Sequence, residues 1–329
     1  MYPFRRGEAD DLDIPEIDEA LGDRAARQLR LDLSRGNWEP ARDFLIKVER
    51  FDERAFYAEI AAQVDGVEDW IGEWLAAEPW STLPLLIRGG HAVHRAWRLR
   101  DAARSRPGTD WFDEFFEHLK LAEDCLQEVA ERFPDDPTAW MYLVPTGRAR
   151  EVGVEETERR FRLVIVRDPW HRVAHEHMLQ QLSPRWGGSA EAMHEFARRT
   201  VAEMPPGTPL GHLVALAHIE QWLETPDGQE TAYIRSPAVV ADLRAAAEMS
   251  IWHPDYTRRP GWPTVHNPFA MAFWLAGDWP AAADQFEAIG DLVTEWPWRH
   301  LGDPGRRFAL ARQETGQRLA RSGTPPPAR

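Results

Sequence analysis

The sequence predicts an all-α protein, an α-α helical hairpin array with room for two lobes. Three observations carry that prediction. Apolar residues recur at helical spacing through most of the chain. Glycine and proline fall mostly at breaks between the periodic segments. Only Leu163-Val164-Ile165-Val166 looks strand-like, and it sits inside a helical context.

The chain has 329 residues, too many for one simple bundle and enough to bury a core without staples. Residues 1–24 carry Glu8, Asp10, Asp11, Asp13, Glu16, Asp18, Glu19 and Asp23 with few apolar residues, and read as a loosely ordered acidic segment. Residues 25–107 read as an N-terminal helical lobe and 108–315 as a hairpin region. Residues 316–329 end in Pro325-Pro326-Pro327 and read as a disordered tail.

Breaks fall at 79–84, 105–110, 134–137, 145–153, 183–189, 205–209, 225–237, 253–268 and 297–305, leaving segments of helix or hairpin length. Asp136-Pro137, Asp168-Pro169 and Asn267-Pro268 each place a capping side chain before a proline, the order expected at a helix start.

Composition narrows the function classes. Hydrophobic residues make up 43% and charged residues 28%, which suits a folded globular protein. The net charge of −15 opposes a broad grip on nucleic acid or an anionic membrane, and suits a basic protein or peptide partner or simple solubility. No stretch of about 18 uncharged apolar residues occurs, and Arg5 and Arg6 precede no apolar run. A lone cysteine, Cys125, excludes an intrachain disulfide, so a reducing, cytoplasmic setting is expected. Sixteen tryptophans are scattered along the chain, so packing between helices is their expected use, with a groove or cation cage as the alternative.

Two turns share a pattern. Gly36-Asn37-Trp38 precedes Ala41 and Leu45, and Gly277-Asp278-Trp279 precedes Ala282 and Phe286. Glycine ends one helix, an aromatic covers the turn, and a small residue lets the next helix approach. Both segments resemble tetratricopeptide-type repeats, and residues 131–140 (ERFPDDPTAW) resemble the junction between such repeats. The period is irregular: Pro137 to Pro169 is 32 residues and Pro169 to Pro209 is 40. Separately, Leu182-Ser183-Pro184-Arg185-Trp186-Gly187-Gly188-Ser189 resembles the signature of an uncharacterised bacterial domain family with helical repeats. That resemblance implies architecture and no activity.

Candidate sites are few. His171 and His175 are four apart on one helix and share a face, as two metal ligands would, or they are hydrogen-bonded structural histidines. His177 turns away from His175 and joins the apolar stripe of Trp170, Val173, Ala174 and Met178. Any further ligand would come from His194 or the His91/His94 pair, and no metal or cofactor is expected. Glu191-Ala192-Met193-His194 has the spacing of di-iron bundles but has no second copy. His91 and His94, beside Arg95 and Arg98, form a solvated basic face or an anion site, with Trp97 toward the core. The 183–189 turn offers Arg185, Trp186 and a helix start capped by Ser189, which suit either an anion site or a plug between hairpins. The 258–266 stretch is irregular enough to be a lid, a partner surface or a connector.

No Gly-Lys-Ser/Thr phosphate loop, dinucleotide fingerprint, nucleophile elbow or His-Glu-x-x-His is present. The sequence therefore points to a non-catalytic protein- or peptide-binding protein, with Trp140, Trp170, Arg185 and Trp186 as contacts. The alternative is an enzyme or small-ligand protein with a pocket between hairpins that uses His171, His175 and the 183–189 turn. A structural subunit of a larger assembly is a third reading.

Overall fold

A computed structural model describes residues 12–105 and 111–322. Among the described residues the regular structure is entirely helical: sixteen α-helices and three short 3-10 turns. Leu163, Val164 and Ile165 of the strand-like run end a helix and Val166 follows as its cap; of the four only Val164 is buried, and Val166 is 75% exposed, so the run is not a sheet face. The chain divides into two compact units, one of residues 23–192 and one that joins 12–22 to 193–322.

The first unit contains α1 (Arg24–Leu33), α2 (Trp38–Leu45), α3 (Phe51–Ala62), α4 (Val67–Ala77), α5 (Leu83–Ser105), α6 (Phe112–Arg132), α7 (Thr138–Ala149), α8 (Val154–Ile165) and α9 (Arg172–Gln181). The 3-10 turn Pro184–Trp186 follows. Asp23 starts α1 by accepting a hydrogen bond from the Ala26 amide at 2.7 Å. The expected first hairpin is present. Gly36 takes φ +74° between α1 and α2, and Trp38, Ala41 and Leu45 are buried beyond it. Trp38 stacks on Trp74 with ring centroids 5.4 Å apart.

The boundary expected near residue 107 is not where the chain divides. It falls between α5 and α6, which pack along each other inside one unit. The reason is steric: Gly89 of α5 has no Cβ, and one placed there would stand 2.7 Å from Leu126 of α6.

α7 is the central helix of this unit, with every residue buried except Trp140. Asp136 accepts from both the amide and the hydroxyl of Thr138 at its start, so the Asp-Pro signal marks this helix correctly. The break expected from residue 145 does not occur there. Pro145 lies within α7, which continues to Ala149 under the cover of its neighbours. The Asp168-Pro169 start is also displaced: both residues lie in a turn, and α9 begins only at Arg172.

The second unit contains α10 (Ala190–Glu203), α11 (His212–Glu224), α12 (Glu230–Ile234), α13 (Pro237–Met249), α14 (Pro263–Ala276), α15 (Trp279–Ile289) and α16 (Pro304–Ser322). α14 is buried on nearly all sides and packs against α11, α12, α13, α15 and α16, as a central helix must. Asn267-Pro268 lies inside α14 rather than at its start. The Asn267 amide donates to the Pro263 and Leu292 carbonyls, and its oxygen accepts from Trp298 Nε1 at 2.8 Å. That buried side chain is thereby saturated. Gly277 takes φ +75° after α14, Asp278 caps α15, and Ala282 and Phe286 are buried, as the second hairpin pattern requires.

Residues 12–22 and 316–322 are more ordered than composition implies. Within 12–22, Ala20 is 2% exposed, and Gly22 and Pro15 lie against Leu292 and Gly305. Residues 316–322 continue α16, where Thr315 and Leu319 are buried. The remainder of the expected acidic lead-in and Pro-rich tail, 1–11 and 323–329, lies outside the described residues.

Candidate functional site

The most chemically loaded place in the first unit is a recess where α3, α5, α7 and α9 each contribute one polar side chain: Glu59, His94, Tyr142 and His177. The recess exists because Gly90 of α5 leaves room for a ring. A Cβ there would stand 2.8 Å from the Tyr142 ring, so Tyr142 can lie across α5 toward α3.

His94 Nε2 stands 2.9 Å from Glu59 Oε1. The Glu59 side chain keeps 30% of its surface open. Burial alone would raise the pKa of this carboxyl. His94, Tyr142 and His177 outweigh burial and bring it down to about 2, so it is ionised at neutral pH. Burial raises the Tyr142 phenol well above its ordinary range, with Glu59 adding to the effect, so it stays a donor. Burial, and then the Arg148 guanidinium, lower His177 to about 4, so it is neutral.

One turn further along α5 the recess acquires an aromatic wall. Trp97 and Trp186 meet edge to face with centroids 5.8 Å apart. Arg148 lies 5.1 Å from both rings and donates to the His177 carbonyl at 3.2 Å, which ties the wall to the polar floor. Arg100 lies 4.3 Å from the Trp186 ring. Trp186 is held in place by its turn. Gly187 takes φ +86°, and Gln181 donates to the Trp186 carbonyl. Trp97 packs on Phe115, Leu119 and Ala149 from one side while its other side remains partly open.

Of the six expected contacts, only Trp186 joins this recess. Trp140 lies on the opposite side of α7, in a groove of about 260 Å³ with Gln127, Glu131, Glu156, Arg159 and Arg160. Trp170 is half-buried in the turn before α9, and Arg185 is exposed. His171 caps α9, its Nδ1 accepting from the Ala174 amide at 3.4 Å. His175 bonds the His171 carbonyl at 2.9 Å and meets Phe161 edge-on. Both rings are buried, and burial lowers His171 to about 4. Each ring is thus engaged through Nδ1 by the backbone at the start of α9.

The 183–189 turn satisfies two of its own amides internally. The amides of Gly188 and Ser189 bond the Ser183 and Leu182 carbonyls, and Ser189 Oγ takes the Ala192 amide as the expected cap. Among the described residues no group of three or more His, Cys, Asp and Glu side chains is placed to hold a metal.

Sequence reading left out Glu59, Tyr142 and Arg148, and placed His177 on an apolar stripe rather than in a site. Glu59 and Arg148 did carry a signal: each is a charge set in an otherwise apolar helical run, which folding tolerates only with a partner. No protein-family model, curated protein or solved structure matches the chain.

Proposed function

We propose that this chain is a binding protein of tetratricopeptide-like hairpins, whose first unit holds a basic peptide segment of a partner in the Glu59 recess. The observation that carries the reading is the ionised, partly open Glu59 carboxylate, set between two histidines and a phenol. A lysine or arginine side chain would complete it, and the stem of such a residue would pass beside the Trp97–Trp186 pair, whose rings already carry Arg100 and Arg148. The overall charge of −15 would steer a basic partner inward.

The test is selection from a random-sequence peptide library with the full chain. Enrichment of Lys- or Arg-bearing peptides, lost in Glu59→Gln and weakened in Trp186→Ala, supports the reading. Enrichment that ignores charge, or survives Glu59→Gln, overturns it.

The second reading is a small-ligand or catalytic pocket. The Glu59–His94 pair favours it, since a carboxylate beside an imidazole is the arrangement of an oriented general base. Glu59, His94 and His177 would then replace His171 and His175. Native mass spectrometry of protein purified from its host separates the two readings. A small adduct favours the pocket, and a bound polypeptide favours the binding protein.

A further inference from the structure

The second unit contains an independent constellation. His194 and Arg198 lie one turn apart on α10, His218 and Gln221 on α11, Tyr233 on α12 and Asp242 on α13. His218 Nε2 donates to Asp242 Oδ2 at 2.9 Å. Its Nδ1 is therefore free to accept, and the Tyr233 hydroxyl lies 2.7 Å away. This is a hydroxyl, an imidazole and a carboxylate in line, the order in which a base-activated nucleophile is built. On its far side the phenol oxygen stands 3.4 Å from His194 Nε2, which itself bonds Gln221 Oε1 at 2.9 Å. Arg198 donates to the same Asp242 oxygen at 2.9 Å, holding that carboxylate in place. His218 is 2% exposed, so water does not compete for its nitrogens, whereas Tyr233 and Gln221 are only half-buried and can be reached.

The same unit contains its own comparison. The Tyr256 hydroxyl lies 3.1 Å from His266 Nε2, and His266 Nδ1 lies 2.9 Å from Gln285 Oε1. Phenol and imidazole are again in line and Tyr256 is again half-buried, but the third member is a neutral amide. An amide orients the ring without stabilising the cation that forms when the ring takes a proton. A carboxylate does both.

We propose that Tyr233 is an activated nucleophile that accepts the acyl group of a small ester, with His218 as the base and Asp242 as its positioning residue. Tyr233 Oη bonds to the carbonyl carbon, and the bond from that carbon to the alcohol oxygen breaks. The phenol proton passes to His218 Nδ1 and from there to the departing alkoxide. Water then attacks the aryl ester, gives its proton to His218, and releases the carboxylic acid as the phenol re-forms. Burial raises the Tyr233 phenol above its ordinary pKa, so no phenolate stands ready and the proton must leave as the bond forms. This activity lies in a different unit from the peptide-binding recess and does not depend on it.

The test treats the full chain with p-nitrophenyl acetate near neutral pH and maps acetyl groups by peptide mass spectrometry. Tyr233 should acetylate about a hundredfold faster than Tyr256 in the same molecules, the scale of general-base assistance. His218→Gln and Asp242→Asn should each bring Tyr233 down to the Tyr256 rate and shift its reaction to alkaline pH, where a free phenol ionises. Asp242→Glu should recover part of the neutral-pH rate. Equal rates at Tyr233 and Tyr256 in the unmodified protein overturn the proposal, whether or not the variants fold. So does a Tyr233 rate unchanged in a folded His218→Gln variant.

Discussion

His94 Nε2 lies 2.9 Å from Glu59 Oε1, so an imidazole of α5 faces a carboxylate of α3. The carboxyl is held at about 2 against an ordinary 4.5. A folded pKa below the unfolded one stabilises the fold fully above the unfolded value, and that contribution is lost as pH falls through the folded value. The stability advantage of the wild type over Glu59→Gln should therefore be constant above pH 4.5 and shrink as the pH is lowered to about 2. Urea unfolding at several pH values measures it, and a difference that stays constant down to pH 2 counts against the ionised pair.

His171, His177, His194 and His266 are each lowered from 6.5 to about 4, with burial the largest cause in every case. Between those values the unfolded chain binds protons that the folded chain refuses, so stability is full above pH 6.5 and declines toward pH 4. Thermal unfolding at pH 5 should begin at a lower temperature than at pH 7, with net proton uptake. A transition temperature unchanged between these two pH values would show that the four rings are not held neutral.

Asp136 is 4% exposed and has two partners: it caps α7 through Thr138, and it pairs with Arg54 Nη1 of α3 at 2.7 Å. Asp136→Asn keeps a cap and loses the ion pair, whereas Asp136→Ala loses both. We expect Asp136→Ala to cost about 3–5 kcal/mol, because it leaves the Arg54 charge partly buried and unpaired. Asp136→Asn should cost less, and Arg54→Met combined with Asp136→Asn less than the two single costs added. Strict additivity in that double-mutant cycle would remove the coupling.

Two glycines should respond in opposite directions. A Cβ on Gly188 would stand 2.1 Å from the Leu182 carbonyl oxygen, so Gly188→Ala forces the turn under Trp186 apart at a cost of about 2 kcal/mol or more. Gly72 is exposed within α4, and nothing lies within 4 Å of the same atom. Gly72→Ala should gain about 0.5–1 kcal/mol through helix propensity. Denaturant midpoints of the two variants report both effects, and a shift of the same sign in both would contradict this account.

The sequence disclosed the hairpins more fully than the site. Gly36 and Gly277 were legible because a helix end followed by an aromatic and a small residue is a local pattern, and both turns have the expected left-handed glycine. Trp186 was legible for a similar reason, lying beside Gly187-Gly188. Helical spacing separated His175 from His177 on α9, but it is His175, not His177, that shares the buried stripe with Ala174 and Met178. Which side faces the recess was not decided by spacing. His175 meets Phe161, and His177 comes near Arg148 and Glu59. Pro145 and Asn267-Pro268 misled because a proline ends an isolated helix, yet dense packing on all sides kept α7 and α14 continuous through it.

From the sequence alone came the helical class, the turn glycines, the capping Asp136 and Ser189, and the want of any known catalytic motif. Each depends on residues within a few positions of one another, where backbone hydrogen bonding and steric limits act. Tertiary structure alone decided that Glu59 meets His94, that Tyr142 reaches it over Gly90, and that Tyr233 is backed by His218 and Asp242 while Tyr256 meets His266, itself bonded to Gln285. Those meetings join different helices, and their geometry follows from how whole faces pack and where a missing side chain lets two helices come close.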